Sequence, residues 1–553
     1  MMKENLIKIY EQSFRDNREL PALTDYFKGE TFSYFGMAEQ IARLHLLFKA
    51  AGIKAGTKVA LVGRNNPHWV MAFMAAITHG AVIVPILQDF SANDIHHIIN
   101  HSEAEVLFAG DQVWDVIETE KIHAVRAAFS LTDYKCIYER HGSSVGKFCR
   151  EWDRRFRAKY KNGFTVADIS YPEVPNDRVI EINYTSGTTG FTKGVMLTVN
   201  NLTANVVYMV SEKVHIRGSR VVAFLPFAHA YGCTVDMLLP LAAGSHITML
   251  GRMPSPKVLL EAMAEVKPRV VVSVPLILEK IYRKQILPTL DKGAMKMAVR
   301  IPLIDKTVYS AIRKKLLDAF GGEILEVVIG GAPLNREVEE FLVKIRFPIT
   351  VGYGMTECGP LISYSQWDSF KAGSCGRVLP GIMEARIDSP DPQNTPGEIV
   401  VRGENVMKGY YKNEKATAEV LGKDGWLRTG DMGTIDPDGT LYIRGRSKAM
   451  LLGANGQNVY PEEIESKLNN MSCVMESLVV ERDGRIVALV VPDYEQADAM
   501  GVRSADLPGI MEDNLRQLNE QLAAYERVAA VILYPTEFEK TPKKSIKRYL
   551  YNV

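Results

Sequence analysis

Through the first ~400 residues, apolar runs rich in β-branched side chains alternate with stretches of helical spacing. The runs at 58–62, 81–87, 179–183, 221–225, 245–250, 270–274 and 325–329 are short and continuously apolar, as strands covered on both faces are. Between them, 258–266 and 309–320 carry apolar residues at helical spacing. Strands separated by helices predict mostly parallel, helix-covered sheets. From Asn65 to Gln88 no residue is charged, a length that would span a bilayer. Asn65, Asn66, Pro67 and His68 open that stretch, and His79-Gly80 and Pro85 divide it. A helix over 69–78, a glycine turn and a strand over 81–87 are therefore predicted, and no transmembrane segment.

The texture changes after about residue 380. Residues 397–403 and 441–444 read as strands, the second after an Asp438-Gly439 turn. This part is expected to be antiparallel, a distorted β-barrel subdomain. Beyond Arg446 come a helix at 461–469, a hairpin of 474–481 and 486–491 around Asp483-Gly484, and a helix at 511–523. The expected fold is α/β: a large N-terminal domain, 1–447, of mostly parallel helix-covered sheets plus the barrel, and a small α+β domain, 448–553.

Composition changes the picture only by exclusion. The 553 residues carry 66 Lys+Arg against 65 Asp+Glu, a net charge of +1, and 46% hydrophobic residues. Such a chain is neither disordered nor a disulfide scaffold. A near-zero charge supplies no overall field for nucleic acid, so no nucleic-acid partner is expected. Six cysteines (Cys136, Cys149, Cys233, Cys358, Cys375 and Cys473) include no CxxC pair, which argues against zinc and redox motifs. Met1-Met2-Lys3-Glu4-Asn5 places charge where a signal peptide has its apolar core. Cytoplasmic localisation is expected.

The sharpest chemical signal is Tyr184-Thr185-Ser186-Gly187-Thr188-Thr189-Gly190-Phe191-Thr192-Lys193-Gly194, directly after the strand at 179–183. Glycines admit close approach, hydroxyls and amides donate to phosphate oxygens, and lysine supplies charge. A surface loop of turn residues has a similar composition. A Walker A loop is excluded, because Gly187 and Gly190 are three apart and Lys193 precedes Gly194 rather than a hydroxyl residue.

This loop resembles the signature of the adenylate-forming (AMP-binding) superfamily. Further motifs follow in family order: Gly352-Tyr353-Gly354-Met355-Thr356-Glu357, Gly425-Trp426-Leu427-Arg428-Thr429-Gly430-Asp431, Gly445-Arg446-Ser447-Lys448, and Asn458-Val459-Tyr460-Pro461-Glu462-Glu463-Ile464-Glu465. The resemblance implies a carboxylate attacking the α-phosphate of ATP to give acyl-AMP and pyrophosphate, followed by displacement of AMP by a thiol, coenzyme A. The nucleophile is already an anion, so such a site needs alignment and charge neutralisation more than a base. By the same resemblance Thr185, Ser186, Gly187, Thr188, Thr189, Gly190 and Lys193 grip the β- and γ-phosphates, and Tyr353 with Gly354 lies against adenine. Gly330-Gly331-Ala332-Pro333 makes room beside the purine. Thr356 touches the α-phosphate, Thr185 and Glu357 hold Mg2+, Asp431 holds the ribose hydroxyls, and Arg446 lies near sugar or phosphates. His229, in Pro226-Phe227-Ala228-His229-Ala230-Tyr231-Gly232, would steer the substrate carboxylate, or else pack structurally in its loop. Lys448 falls at the hinge of the mobile domain, and Gly453-Ala454-Asn455-Gly456-Gln457 would face the thiol tunnel.

The C-terminus departs from the family pattern. Where a lysine bridges carboxylate and α-phosphate, Thr541-Pro542-Lys543-Lys544-Ser545-Ile546-Lys547-Arg548 presents Ser545. Lys544 is the expected substitute and Lys547 the alternative. Val274-Pro275-Leu276-Ile277-Leu278-Glu279-Lys280-Ile281-Tyr282, Gly330–Leu334 and the Gly456–Pro461 segment look most like long-chain fatty acid–CoA ligases. The expected function is AMP-forming acyl-CoA synthesis from a fatty acid, ATP and coenzyme A, with Mg2+. A fatty-acyl-AMP ligase loading a carrier protein, and a non-catalytic acyl- or nucleotide-binding homologue, are the alternatives. Peripheral membrane contact and the choice between monomer and homodimer stay open.

Overall fold

The computed structural model describes residues 1–141, 145–185, 193–252, 254–290, 301, 304–452, 458–482, 484–541 and 546–551. An eight-stranded sheet lies at the centre. Its strands run, edge to edge, Gly409–Tyr410, Lys193–Thr198, Val179–Thr185, Val82–Ile86, Lys58–Val62, Val106–Ala109, Ala127–Ser130 and Cys136–Glu139. The interior pairings, from Val179–Thr185 to Ala127–Ser130, are parallel. The outer pairings are antiparallel. A second sheet joins Arg220–Ala223, His246–Met249, Pro21–Asp25 and Thr31–Ser33, and a third joins Val270–Ser273, Glu326–Ile329 and Ile349–Val351, all parallel.

The uncharged stretch resolves as the pattern predicts. Its helix is Pro67–His79, two residues longer at the start than expected, because the Asn66 side chain accepts from Trp69 N at 2.8 Å and Pro67 tolerates the first turn. Gly80, at φ +81°, ends it. Trp69 through Thr78 are all buried, as in any helix that is apolar on every side. Among the described residues no helix is long and apolar enough to cross a membrane.

In the segment expected to form a distorted barrel, two antiparallel sheets are joined edge to edge, with Cys375 N donating to Leu441 O at 2.8 Å, Leu441 N to Gly376 O at 2.9 Å and Val378 N to Gly439 O at 3.0 Å. Met383–Asp388, Gly397–Gly403, Leu427–Ile435 and Leu441–Arg446 pair antiparallel in that order, beside a three-stranded sheet of Tyr353–Gly354, Leu361–Tyr364 and Arg377–Val378. Alternating residues determine which side chains share a face of these sheets; among the described residues the strand order of each is linear.

The large N-terminal domain has one core running from Leu6 to Leu441. The smaller C-terminal domain builds cores on both faces of its sheet. Val474–Arg482 and Arg485–Pro492 form the expected hairpin, and Ala530–Leu533 adds a parallel strand. Side chains alternate across a strand: Val479, Ala488 and Val490 pack with Ile464, Leu468, Met511 and Leu518, while Leu478, Val480, Leu489 and Val491 pack with Phe538 and Tyr551.

Candidate active site

Ligands of parallel α/β sheets bind beyond the carboxyl ends of the strands. Four candidate motifs begin at such ends: Val179–Thr185 runs into the phosphate loop, Arg220–Ala223 into the His229 loop, Glu326–Ile329 into Gly330–Pro333, and Ile349–Val351 into Gly352-Tyr353. The topology thus gathers segments far apart in sequence.

Three expected residues meet directly. Tyr353 Oη donates to Asp431 Oδ2 at 2.5 Å, and Arg446 Nε lies 3.1 Å from Asp431 Oδ1. Register explains this, because Asp431 and Arg446 are paired across adjacent antiparallel strands. Burial raises the Asp431 carboxyl, while Arg446 and the Tyr353 hydroxyl pull it back. The Asp431 charge in turn raises Arg446, which also lies within the fields of Tyr353 and Glu357. Asp431 N donates to Thr429 Oγ1 at 3.1 Å, which fixes the turn carrying the carboxylate.

Glu357 forms a second cluster. Thr356–Cys358 is one turn of 3-10 helix ended by Gly359 in the left-handed region, and both Thr356 and Glu357 are buried. Tyr410 Oη donates to Glu357 Oε1 at 2.8 Å, and Lys193 Nζ sits 4.9 Å from the centroid of the Tyr410 ring. The strand Gly409–Tyr410 pairs with Lys193–Thr198 and so brings lysine and carboxylate to one aromatic. Sequence reasoning missed Tyr410. The Lys408-Gly409-Tyr410-Tyr411-Lys412 run becomes informative only once that pairing is known.

Thr185 and Lys193 are paired residues of one hairpin, with Thr185 Oγ1 3.5 Å from Lys193 O. Ser186, Gly187, Thr188, Thr189 and Gly190 lie outside the described residues. Gly354 is required sterically, since a Cβ there would stand 2.2 Å from Pro360 O. A Cβ at Gly330 would stand 3.0 Å from the Tyr231 ring. Gly331 has φ +84°, and Gly331, Ala332 and Pro333 are exposed. His229 is half-buried. Its Nδ1 accepts from Tyr231 N at 3.2 Å, which leaves the ring proton on Nε2.

One expected residue lies elsewhere. Lys547 pairs with Glu539 at 3.4 Å within the C-terminal domain, and it is not brought to Asp431 or Glu357. Lys544 lies outside the described residues, as does the 453–457 loop. Lys448 sits in the 3-10 turn Ser447–Ala449. The small domain touches the large one where Arg283 donates to Asn469 O and Asn335 to Asn470 Oδ1.

The donor set suits Mg2+, a hard ion that takes one or two protein oxygens and fills its remaining positions with phosphate and water. Thr185 and Glu357 supply hydroxyl and carboxylate oxygens, and among the described residues no cluster of three or more His, Cys, Asp or Glu forms a closed metal cage.

Residues 10–411 match the sequence profile of the family described as AMP-binding enzyme, and residues 448–552 that of the AMP-binding enzyme C-terminal domain. A long-chain-fatty-acid–CoA ligase of Mycobacterium bovis is 29% identical over 92% of this chain and 88% of its own length. A 4-coumarate–CoA ligase of Oryza sativa subsp. japonica is 28% identical over 96% and 91%. Among solved structures, ATP-bound MatB from Rhodopseudomonas palustris aligns with TM-score 0.76 at 23% identity, covering 99% of this chain and 98% of that one. An anthranilate CoA ligase in complex with anthranoyl-AMP aligns with TM-score 0.78 at 19%, covering 99% and 96%. At these identities the structures show the fold.

Proposed function

The chain belongs to the AMP-binding enzyme family, and from that premise we propose that it is an AMP-forming acyl-CoA ligase acting on a long-chain fatty acid. The observation that carries the adenylation half is the Tyr353–Asp431–Arg446 cluster beside the Glu357–Tyr410–Lys193 cluster. One offers a ring face and a carboxylate to a nucleoside, and the other offers an ammonium and hard oxygens to its phosphates. The fatty-acid assignment is supported by the ligase of Mycobacterium bovis and by two long chain acyl-CoA synthetases of Arabidopsis thaliana, at 27% and 29% identity.

In this reading Asp431 takes the ribose hydroxyls as a bidentate acceptor. Tyr353 presents its ring to adenine, with Gly354 and Gly331–Pro333 leaving the purine its space. Thr185, Ser186, Gly187, Thr188, Thr189, Gly190 and Lys193 hold the β- and γ-phosphates, Thr356 meets the α-phosphate, and Arg446 neutralises charge near it. His229 offers its Nε2–H to the substrate carboxylate. Thr185 and Glu357 would hold Mg2+, whose contribution when bound is charge neutralisation on the phosphates. A domain boundary at 447/448, with rotation about Lys448, lets the small domain serve adenylation and thioester formation in turn. Lys544 or Lys547 reaches the α-phosphate in the first of these states. Coenzyme A is the acceptor.

Pyrophosphate exchange measured with carboxylates from acetate to oleate, 4-coumarate and benzoate, then repeated with coenzyme A, tests this. Oleate-class acids should dominate, with acyl-CoA formed from free coenzyme A. Best turnover on 4-coumarate or a C2–C4 acid overturns the fatty-acid assignment. Acyl transfer to carrier protein but not to free coenzyme A overturns the acceptor.

A further inference from the structure

The strand that delivers the phosphate loop carries two polar side chains unusual for a central position. Glu181, Asn183 and Thr185 are alternate residues of Val179–Thr185, and therefore share one face of the sheet. Glu181 is 1% exposed and Asn183 likewise. The Asn183 amide uses its nitrogen twice, donating to Glu181 Oε1 at 2.9 Å and to Ala228 O at 3.3 Å. Ala228 immediately precedes His229, whose ring is anchored in turn by Tyr231 N. One amide therefore ties the phosphate-loop strand to the His229 loop, and Glu181 decides which way that amide faces.

The Asn183 amide is the one side-chain donor to Glu181 among the described residues, and burial outweighs it. Its register neighbours on the flanking strands are Ile83 and Leu197. From the turn Gly232–Leu238 the titratable group facing it is Cys233, whose thiol burial keeps protonated. Asp236 on the same turn is itself buried, and burial raises it too. No basic side chain among the described residues pairs with Glu181, and its Oε2 has no hydrogen-bond partner. An isolated buried carboxylate is far costlier than a buried carboxylic acid.

We propose that Glu181 is a positioning residue that works as a neutral carboxylic acid, holding Asn183 across to Ala228 and so setting the His229 loop against the strand that carries Thr185. In that form it offers Asn183 a carbonyl acceptor and adds no charge beneath a site that must receive a carboxylate and a polyphosphate together. Burial pushes Glu181 up to about 7. Its ionisation therefore falls in the neutral range and places a bare negative charge under the anion site. The linkage is reciprocal: bound anions keep Glu181 protonated, and its deprotonation weakens anion binding.

The inference rests on reading the 185–193 loop and His229 as substrate-binding elements, so the test pairs turnover with readouts that need none. Wild type, Glu181→Gln and Glu181→Leu are compared from pH 6 to 9 in KM for ATP and for oleate, in ATP affinity by calorimetry, and in the infrared band of the protonated carboxyl. Glutamine keeps the carbonyl acceptor without the charge, whereas leucine removes both. In wild type, KM and ATP dissociation constant should rise about tenfold between pH 6 and 8.5, within the usual range of such couplings, with kcat changing less. Glu181→Gln should hold the pH 6 values throughout, and Glu181→Leu should show weakened binding at every pH. The infrared difference between wild type and Glu181→Gln should contain a protonated carboxyl at pH 6 that is lost by pH 8.5. A Glu181→Gln profile that follows wild type, or a carboxyl already ionised at pH 6, overturns the proposal. Should no acid support turnover, the proposed function fails, while ATP affinity and the infrared band still decide this one.

Discussion

Asp431 is 4% exposed and accepts from two sides, Tyr353 Oη and Arg446 Nε. Truncating it to Ala leaves a phenol and a guanidinium without their acceptor and removes the proposed ribose ligand. Hydrogen bonds to a charged group are worth about 1.5–3 kcal/mol, so Asp431→Ala should raise KM for ATP by about 10–100-fold. Tyr353→Phe keeps the ring and leaves Asp431 with Arg446 and in place for the ribose, so its rise should be smaller than that of Asp431→Ala. Initial-rate kinetics against ATP check both. Tyr410 gives a second prediction. Tyr410→Phe keeps the ring under Lys193 and deletes only the bond to Glu357 Oε1, which holds that carboxylate in place. The Mg2+ concentration for half-maximal rate should rise by about tenfold or more, the worth of one hydrogen bond to a charged group, with KM for the acid unmoved. A magnesium titration reads this. Asp431 and Glu357 could be named as candidates from the sequence because their motifs are local, and the structure places both as buried, hydrogen-bonded carboxylates. Tyr410 could not, because its role comes from strand pairing across more than two hundred residues. Lys547 marks the opposite limit: a basic run in the sequence names candidates but not their partners, and here Lys547 pairs with Glu539.

Helices and strands were legible wherever one period ruled a whole segment. Pro67–His79 and the hairpin Val474–Arg482 with Arg485–Pro492 follow their patterns to within two or three residues. The Leu507–Glu520 helix starts four residues before the apolar spacing suggests, because Pro508 stands in its first turn, where a missing N–H costs nothing. How the two antiparallel sheets of 353–446 join edge to edge was not legible, since alternation determines which side chains share a face and not which strands meet. At this scale Gly354 gives the sharpest test. It pairs with Leu361 across a tight antiparallel connection, and its missing Cβ would stand 2.2 Å from Pro360 O, 2.9 Å from Pro360 C and 3.1 Å from Leu361 Cα. Backbone of the facing strand cannot yield as a side-chain tip does. Gly354→Ala should destabilise by about 1–3 kcal/mol, as overpacking does, and should raise KM for ATP by displacing the neighbouring Tyr353. Gly439→Ala is the control: its φ of +84° carries strain, but no atom lies within 4 Å of the added Cβ. It should lower the melting temperature and leave KM for ATP unchanged.

The whole molecule buries acids as well as apolar groups, and this makes its stability depend on pH. Glu326 is 1% exposed at the start of the central strand of the third sheet, where Tyr364 Oη donates to one oxygen and Trp367 N to the other at 3.1 Å. Both bonds favour the carboxylate, yet burial outweighs them and pushes Glu326 from 4.5 up to about 7. A carboxyl whose pKa is higher in the folded state binds its proton more tightly there than in the unfolded chain. Its contribution is therefore fully present below pH 4.5 and is lost as pH rises to about 7. At 1.36 kcal/mol per unit, raising pH from 5 to 8 should remove about 2–3 kcal/mol through Glu326. The buried histidines oppose this slope at the acid end. Burial lowers His45 and His215 from 6.5 to about 3, so their contribution is present above 6.5 and is lost as pH falls towards 3. Between pH 4.5 and 6.5 the two tendencies offset, and above 6.5 only the acids act. Glu326→Gln cannot ionise. Its difference in stability from wild type should therefore move in the variant's favour by about 2–3 kcal/mol between pH 5 and pH 8. Calorimetric melting at those two pH values measures that difference, and a difference independent of pH would show that Glu326 is ionised in the folded protein throughout.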